Sequence, residues 1–255
     1  MKKQIYVGTC GEKMFWRYEK GTLYIEGNGC IADARYYEDG NDHWFTYQWK
    51  PLAVWIKIKQ HIESVVIIDG CAGIGKRAFA GCTSLRSIRI PAGVIKIGDQ
   101  AFAECRKLEN ITIPDGVKEI GYSAFRNCTS LSQIVLPNSV EDISWFTFSG
   151  CKNMVSITLS ENITEIGTGT FWRCSNLSRI VIPKKVWSIA ADAFRYCSPL
   201  LDIVFHEDSA YAEVDPQIFL SKEYLNRKRW EDFCYYGFPR DFEEEDEYPD
   251  LDYSW

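Results

Sequence analysis

The sequence predicts an α/β repeat protein, a solenoid of short parallel strands, and three observations support that prediction. A phenylalanine recurs every 23 residues through the middle of the chain, without an insertion. A cysteine stands three positions after each of these phenylalanines. An alternating apolar segment then follows each cysteine. Self-similarity at a period of roughly 20 to 50 residues is typical of a repeat architecture.

The repeat unit reads V-x-x-I-G-x-x-A-F-x-x-C-x-x-L-x-x-I-x-I-P. Its L-x-x-I-x-I part predicts a short strand whose alternate residues point inward. Its A-F-x-x-C part places phenylalanine and cysteine on one face of a single helical turn. One unit cannot bury its apolar face alone, so neighbouring units must stack. The repeated pairs are Phe79/Cys82, Phe102/Cys105, Phe125/Cys128, Phe148/Cys151, Phe171/Cys174 and Phe194/Cys197.

Residues 1–61 are predicted to form a capping region built on a β-hairpin. Apolar residues alternate with other residues on both arms, and Lys20-Gly21 lies between the arms at a turn position. The hairpin would cover the sheet edge that an open solenoid end exposes. The alternating positions are Met14, Trp16 and Tyr18 on one arm and Leu23 and Ile25 on the other.

Residues 62–206 are predicted to form the solenoid, with six full units and a degenerate first unit. In that first unit Ile62, Val65 and Ile67 are in phase with the later repeats. About seven strands stacked at roughly 4.8 Å give a core some 30 Å long.

Residues 207–240 are predicted to form a helical cap at the other end. Ile218, Tyr224, Leu225 and Trp230 have spacings that a helix can bury on one side, and Pro216 stands near its start. Residues 241–255 are predicted to be an acidic, disordered tail. The tail holds eight acids, so with a net charge of −6 the rest of the chain carries about +2. This balance argues against nucleic acid as the main partner.

The repeat follows leucine-rich-repeat logic, and its pattern resembles the BspA-type (Treponema pallidum-like) leucine-rich repeat of bacterial proteins. The resemblance implies a right-handed solenoid and covers residues 62–205. It extends weakly to the N-terminal hairpin, where Cys10, Gly11, Trp16, Gly21, Leu23, Ile25 and Gly27 match the leading segment of that family. Members are often surface or secreted adhesins. The basic start of this chain lacks an apolar stretch behind it, so we expect a cytoplasmic protein, or a secreted or surface protein if a signal was removed.

The candidate chemical groups favour a non-catalytic protein. Each repeat cysteine occupies an inward slot beside phenylalanine, which predicts an inert buried thiol. No C-x-x-C occurs, which argues against zinc, and we expect neither a metal nor another cofactor. The histidines His43, His61 and His206 have no carboxylate or cysteine at motif spacing.

The segment G-C-A-G-I-G-K, which starts at Gly70, resembles a phosphate-binding loop at its glycines and at Lys76. That motif requires a serine or threonine where this chain has Arg77. Gly75 is the repeat slot that Gly98, Gly121 and Gly167 also occupy, so the 23-residue register accounts for the segment.

Aromatic residues at variable slots of the later repeats are the candidate binding site. Tryptophan and tyrosine are enriched at interface hot spots. We therefore predict a monomeric protein-binding module, an adhesin or an intracellular adaptor or effector, with a glycan-binding surface protein as the alternative. A nucleotide-binding enzyme is a third hypothesis, and the exposed sheet face is a second candidate surface. The candidate residues are Tyr122, Trp145, Phe146, Trp172, Trp187 and Tyr196.

Overall fold

The computed structural model describes residues 6–33, 36–37, 48–49, 55 and 58–209. These residues form a β-solenoid in which strands of successive repeats pair in parallel. Each repeat makes one coil and contributes two short strands, one to each of two columns. The described part of the chain has about six coils of 23 residues.

An antiparallel hairpin covers the first coil, as the sequence predicts. Lys20 and Gly21 form its turn with φ angles of 48° and 82°. The last hairpin strand pairs in parallel with the first solenoid strand, so that Leu23 lies opposite Val65. The hairpin thereby continues the sheet and moves its free edge to the first strand. The strands are β1 (Tyr6–Gly11), β2 (Met14–Glu19) and β3 (Thr22–Gly27).

Three further short strands precede the repeats. They are β4 (Gly29–Ile31), β5 (Tyr36–Tyr37) and β6 (Gln48–Trp49). β5 and β6 pair with each other in antiparallel orientation.

The two columns keep equivalent slots of the repeat side by side. In the first column Ile134 lies opposite Ile157, and Ile157 lies opposite Ile180. The first column contains β7 (Ser64–Ile67), β9 (Ser87–Arg89), β11 (Asn110–Ile111), β13 (Gln133–Val135), β15 (Ser156–Thr158), β17 (Arg179–Ile182) and β19 (Asp202–Phe205). The second column contains β8 (Cys71–Ile74), β10 (Lys96–Ile97), β12 (Glu119–Ile120), β14 (Asp142–Ile143), β16 (Glu165–Ile166) and β18 (Ser188–Ile189). β4 lies beside β8 at the start of this column.

The repeat phenylalanines form one continuous stack through the core. Neighbouring rings lie 5.3 to 5.8 Å apart between centroids and are close to parallel. Trp55 extends the stack, with its ring 5.4 Å from that of Phe79, and its Nε1 donates a hydrogen bond to the carbonyl of Ala78. Trp55 stands one position out of the 23-residue register, so the repeat pattern alone does not predict this role.

The prediction of helical turns is wrong. The A-F-x-x-C segments form hydrogen-bonded turns and not α-helix. Phe79 N donates to Ala101 O of the next coil, and Gly81 N donates to Ala103 O. Backbone groups that a helix would pair along its own axis therefore join one coil to the next. The i to i+3 spacing of phenylalanine and cysteine fits both geometries, which is why the sequence favoured a helix. Among the described residues helical conformation is limited to Trp55 and the 3-10 turn at Lys59–His61.

The predicted helical C-terminal cap lies outside the described residues, apart from its first three positions. The predicted acidic tail lies outside them as well.

Candidate functional site: an aromatic and arginine edge

The edge of the solenoid between the second and first columns turns through left-handed backbone. Each coil carries a left-handed residue two positions after its phenylalanine, with φ between 57° and 74°. Most coils carry a second such residue two positions before the phenylalanine. Glycine or asparagine is the ordinary occupant of this conformation. Two aromatic residues occupy it here, Phe146 at φ 55° and Tyr196 at φ 62°.

Four of the predicted aromatic residues form a contiguous surface on this edge, which we call the aromatic strip. It consists of Tyr122, Phe146, Trp172 and Tyr196, one from each of repeats three to six. Successive ring centroids are 6.1, 6.4 and 5.2 Å apart, and the rings meet edge-on or tilted. Tyr122 and Tyr196 are exposed, and the other two rings are half-buried.

The other two predicted aromatic residues lie beside the strip or on another column. The Trp145 indole packs over Gly167, where an added Cβ would lie 2.4 Å from its Cδ1. The side chain of Trp187 is 66% exposed and flanks β18, in the slot that Ile95 and Lys118 occupy in earlier coils. The six predicted residues therefore divide into a strip of four, one neighbour and one separate side chain.

Two arginines that sequence reasoning missed complete the C-terminal half of the strip. The guanidinium carbon of Arg195 lies 4.9 Å from the Trp172 ring centroid and 5.0 Å from that of Tyr196. Its Nη2 also donates a hydrogen bond of 3.1 Å to the Tyr196 hydroxyl. The guanidinium carbon of Arg173, the residue that follows Trp172, lies 5.6 Å from the Tyr196 ring centroid. The available signal was that each arginine adjoins a candidate aromatic residue in the sequence.

The repeat cysteines form a buried ladder beside the phenylalanine stack. Each thiol from the second repeat onward donates to the phenylalanine carbonyl of the previous coil, as Cys105 Sγ does to Phe79 O at 3.2 Å. Burial raises the pKa of Cys151 to about 12, and hydrogen bonding to the backbone opposes this only in part. Such thiols stay protonated near neutral pH, so they lack the thiolate that attacks electrophiles or binds metals.

The segment around Gly70 uses its groups within the solenoid. Residues Cys71–Ile74 form β8, where a phosphate-binding loop would curve around an anion. The Lys76 ammonium pairs with Asp99 at 2.7 Å, and its backbone N–H donates to the Asp33 carboxylate at 2.8 Å. A carboxylate at that amide opposes a phosphate in the same place.

The remaining polar candidates are dispersed. His61 contributes its backbone carbonyl to a hydrogen bond from Tyr18, and His206 lies 3.9 Å from Asp208. His43 lies outside the described residues. Within residues 6–33 and 58–209 and the shorter described segments, no group of three histidine, cysteine or acidic side chains is arranged to hold a metal ion. In that same part of the chain no helix has the length and apolar character needed to cross a membrane.

The exposed face of the first strand column is the second candidate surface. Its side chains alternate between small polar residues and β-branched ones, such as Thr112, Val135 and Thr158. Arg179 on this face pairs with Asp202 of the next coil at 3.5 Å. Unlike the aromatic strip, this face carries no large exposed aromatic side chain in the described strands of the column.

These features define a repeat solenoid with a non-repeating aromatic edge and no assembled catalytic group in its described residues. The chain belongs to the BspA-type leucine-rich-repeat family: the family model "BspA type Leucine rich repeat region" matches residues 58–148 and 96–226, in six copies. No protein of curated function matches the chain in sequence.

Solved structures of bacterial repeat proteins resemble the chain. A leucine rich cell surface protein from Faecalibacterium prausnitzii is 30% identical with a TM-score of 0.58, over 80% of this chain and 55% of that one. A leucine-rich repeat protein from Bacteroides ovatus is 23% identical with a TM-score of 0.56, over 78% of this chain and 53% of that one. The T. pallidum leucine rich repeat protein is 20% identical with a TM-score of 0.48, over 93% and 95%. This chain thus spans about half the length of the first two.

Proposed function

We propose that this protein is a non-catalytic recognition module that binds a protein partner through the aromatic strip. One observation carries the proposal: rings from four successive coils contact one another on an accessible edge. Large aromatic side chains that form a continuous surface are typical anchors of protein interfaces. Because equivalent slots of successive coils lie side by side, one large side chain in each coil is enough to build such a surface.

The backbone conformation of the strip supports a role beyond folding. A left-handed conformation costs a residue with a Cβ roughly 1–2 kcal/mol. Gly169 fills the Phe146 slot in the next coil, so the fold itself accepts glycine there. Phe146 therefore occupies a strained position that the fold does not require an aromatic ring to fill, and such positions cluster at functional sites.

The arginines favour a protein over a glycan as the ligand. Sugar rings bind by stacking on an open aromatic face. Arg195 lies against both Trp172 and Tyr196, so an approaching sugar would have to displace a cation from those faces. A protein partner can instead supply carboxylates to the guanidinium groups. Glycan binding remains the second candidate on the strength of Trp187, whose ring is well exposed.

The setting is either a cell surface, for an adhesin, or the cytoplasm, for an adaptor or effector. The F. prausnitzii neighbour is a cell surface protein, which supports the first setting. Fractionation of source cells, with protease treatment of intact cells, separates the two: a surface protein is digested and a cytoplasmic one is protected.

Partner capture by paired tryptophan variants tests the proposal. Trp172→Ala removes the centre of the strip, while Trp187→Ala removes a comparably large ring on another column. We expect Trp172→Ala to reduce capture of partners from source-cell extract at least ten-fold and Trp187→Ala to leave it unchanged. The reverse pattern would move the site to the β18 column. A glycan array on the same variants tests the alternative.

A further inference from the structure

We propose that the acidic C-terminal segment, residues 241–255, binds to the aromatic strip of its own chain and competes with the partner. This inference rests on the proposed function, since both use the same surface. It adds the chemical class of the ligand: an acidic peptide with interspersed aromatic residues.

Within repeats three to six the edge that carries the strip is positively charged, while Asp99 and Glu104 of the preceding coil accept hydrogen bonds from Tyr122 N and Asn127 Nδ2 at its N-terminal end. We define the strip edge as residues 121–130, 144–153, 167–176 and 190–199. It carries four basic side chains, Arg126, Lys152, Arg173 and Arg195, and one acidic side chain, Asp192. The Asp192 carboxylate accepts a hydrogen bond from Gly169 N at 3.4 Å, so it is engaged in the turn.

The tail has the complementary composition. It holds eight acids and no basic residue, and of its four aromatic side chains two stand among the acids and two follow the last acid. Carboxylates form charge-assisted hydrogen bonds with guanidinium groups, and rings pack edge-on against rings. The acids therefore suit the arginines, and the rings suit the strip between them. The aromatic residues are Phe242, Tyr248, Tyr253 and Trp255.

The chain is long enough to bring the tail to the strip. Tyr196 lies in the last coil of the described residues, close in sequence to Ser209, where those residues end. Residues 210–240 span at most roughly 100 Å when extended and roughly 45 Å as one continuous helix, and both lengths exceed the estimated 30 Å of the solenoid core. Tethering makes the encounter intramolecular, so even weak docking can be populated. While the tail is docked the strip cannot bind a partner, so the apparent affinity for a partner is proportional to the fraction of strips that are free of the tail.

Peptide binding to a full-length variant with a neutral tail tests this inference. In that variant the eight acids of the tail become asparagine or glutamine, so the edge stays intact. The probe is a fluorescein-labelled peptide of residues 241–255, followed by anisotropy in 50 mM salt. We expect the neutral-tail chain to bind the peptide at least ten-fold more tightly than the natural chain, whose own tail competes. Binding should weaken as salt rises.

Matched arginine variants locate the contact. Arg195→Ala in the neutral-tail chain should weaken peptide binding at least ten-fold, whereas Arg89→Ala, an exposed arginine on β9, should not. Equal affinity for natural and neutral-tail chains, or equal effects of the two arginine variants, would overturn the inference. A natural chain that dimerises while the neutral-tail chain stays monomeric would also overturn it, since the tail would then bind a second copy.

Partner capture separates this inference from the proposed function. If the neutral-tail chain captures partner through Trp172 but fails to bind the peptide, only the tail inference fails. If it binds the peptide through Arg195 while Trp172→Ala leaves partner capture unchanged, the proposed function fails.

Discussion

The guanidinium carbon of Arg195 lies 4.9 Å from the Trp172 ring centroid, and the two residues occupy the same slot of consecutive coils. The same guanidinium group contacts the Tyr196 ring and its hydroxyl. One arginine thus joins two rings of the strip that come from different coils. This contact joins the C-terminal half of the strip in the free protein, and under the proposed function such pre-organisation would reduce the entropy lost on binding.

A double-mutant cycle should detect coupling between Trp172 and Arg195. Alanine at either position removes a cation–π contact that is worth about 0.5–1 kcal/mol at a partly exposed site. The two single changes should therefore sum to more than the double change by about that amount. Urea denaturation of the four proteins measures it. A cycle of Trp172→Ala with Arg89→Ala provides the control and should be additive, and an additive cycle for Arg195 as well would contradict the contact.

Two phenylalanines two residues apart should respond differently to substitution. Phe148 is fully buried between Phe125 and Phe171 in the core stack. Phe148→Ala should lower the free energy of unfolding by about 3–5 kcal/mol, the usual cost of an aromatic cavity. Phe146→Ala should cost about 1–2 kcal/mol, because its ring is half-exposed and packs at the rim. Chemical denaturation of both variants gives the comparison.

Glycine variants at the same two positions test whether the backbone at Phe146 is strained. At Phe146, with φ 55°, glycine relieves the left-handed strain and should be more stable than alanine by about 1 kcal/mol. At Phe148 the order should be reversed, because the backbone there is not left-handed and glycine relieves no strain. Glycine should therefore be less stable than alanine by about 0.5–1 kcal/mol, owing to its greater backbone freedom in the unfolded chain. If alanine were more stable than glycine at both sites, Phe146 would carry no backbone strain.

The periodic part of the fold is predictable from the sequence, and the irregular part of the site is not. Phenylalanine and cysteine each recur in a fixed slot because both slots face the core, where every residue is buried except the partly buried Cys197. The left-handed slots show no such signal: arginine, glutamine, serine, phenylalanine and glycine all occupy the Phe146 slot. Arg195 and Trp172 stand 23 residues apart in one slot, so the register places them in adjacent coils, but the contact of the guanidinium group with the ring is visible only in the structure. The repeat pattern does not predict Trp55, because this residue extends the phenylalanine stack from a position outside the 23-residue register.

The cysteine ladder should resist alkylation while the protein is folded. Cys30 is exposed, and the ladder thiols from Cys82 to Cys174 are buried, with their pKa values raised by burial. Iodoacetamide at pH 8, followed by peptide mass spectrometry, should modify Cys30 within minutes and the ladder only at the rate of unfolding. The same treatment in urea is the control and should modify all of them. Fast modification of Cys128 in the folded protein would mean that the coils open locally.

Stability should fall as the pH rises above the ordinary range of thiol ionisation. The pKa of Cys151 is raised by burial from 9.0 to about 12 in the folded protein. Between these values the unfolded chain loses protons that the folded chain keeps, so the free energy of unfolding decreases with pH. One thiol contributes a slope of at most about 1.4 kcal/mol per pH unit. Urea midpoints at pH 8, 9, 10 and 11 should therefore decline steeply across the ladder's combined range.

A single ladder variant isolates the thiol contribution from lysine and tyrosine ionisation. Cys151→Ala should be less stable than the natural chain at pH 8, because it loses buried volume and the hydrogen bond to Phe125 O. Its disadvantage should shrink between pH 9 and pH 11, since the natural chain loses there a stabilising term that the variant lacks. Cys30→Ala, which removes an exposed thiol, should follow the natural profile throughout. Parallel profiles for Cys151→Ala and the natural chain would show that burial of this thiol does not raise its pKa.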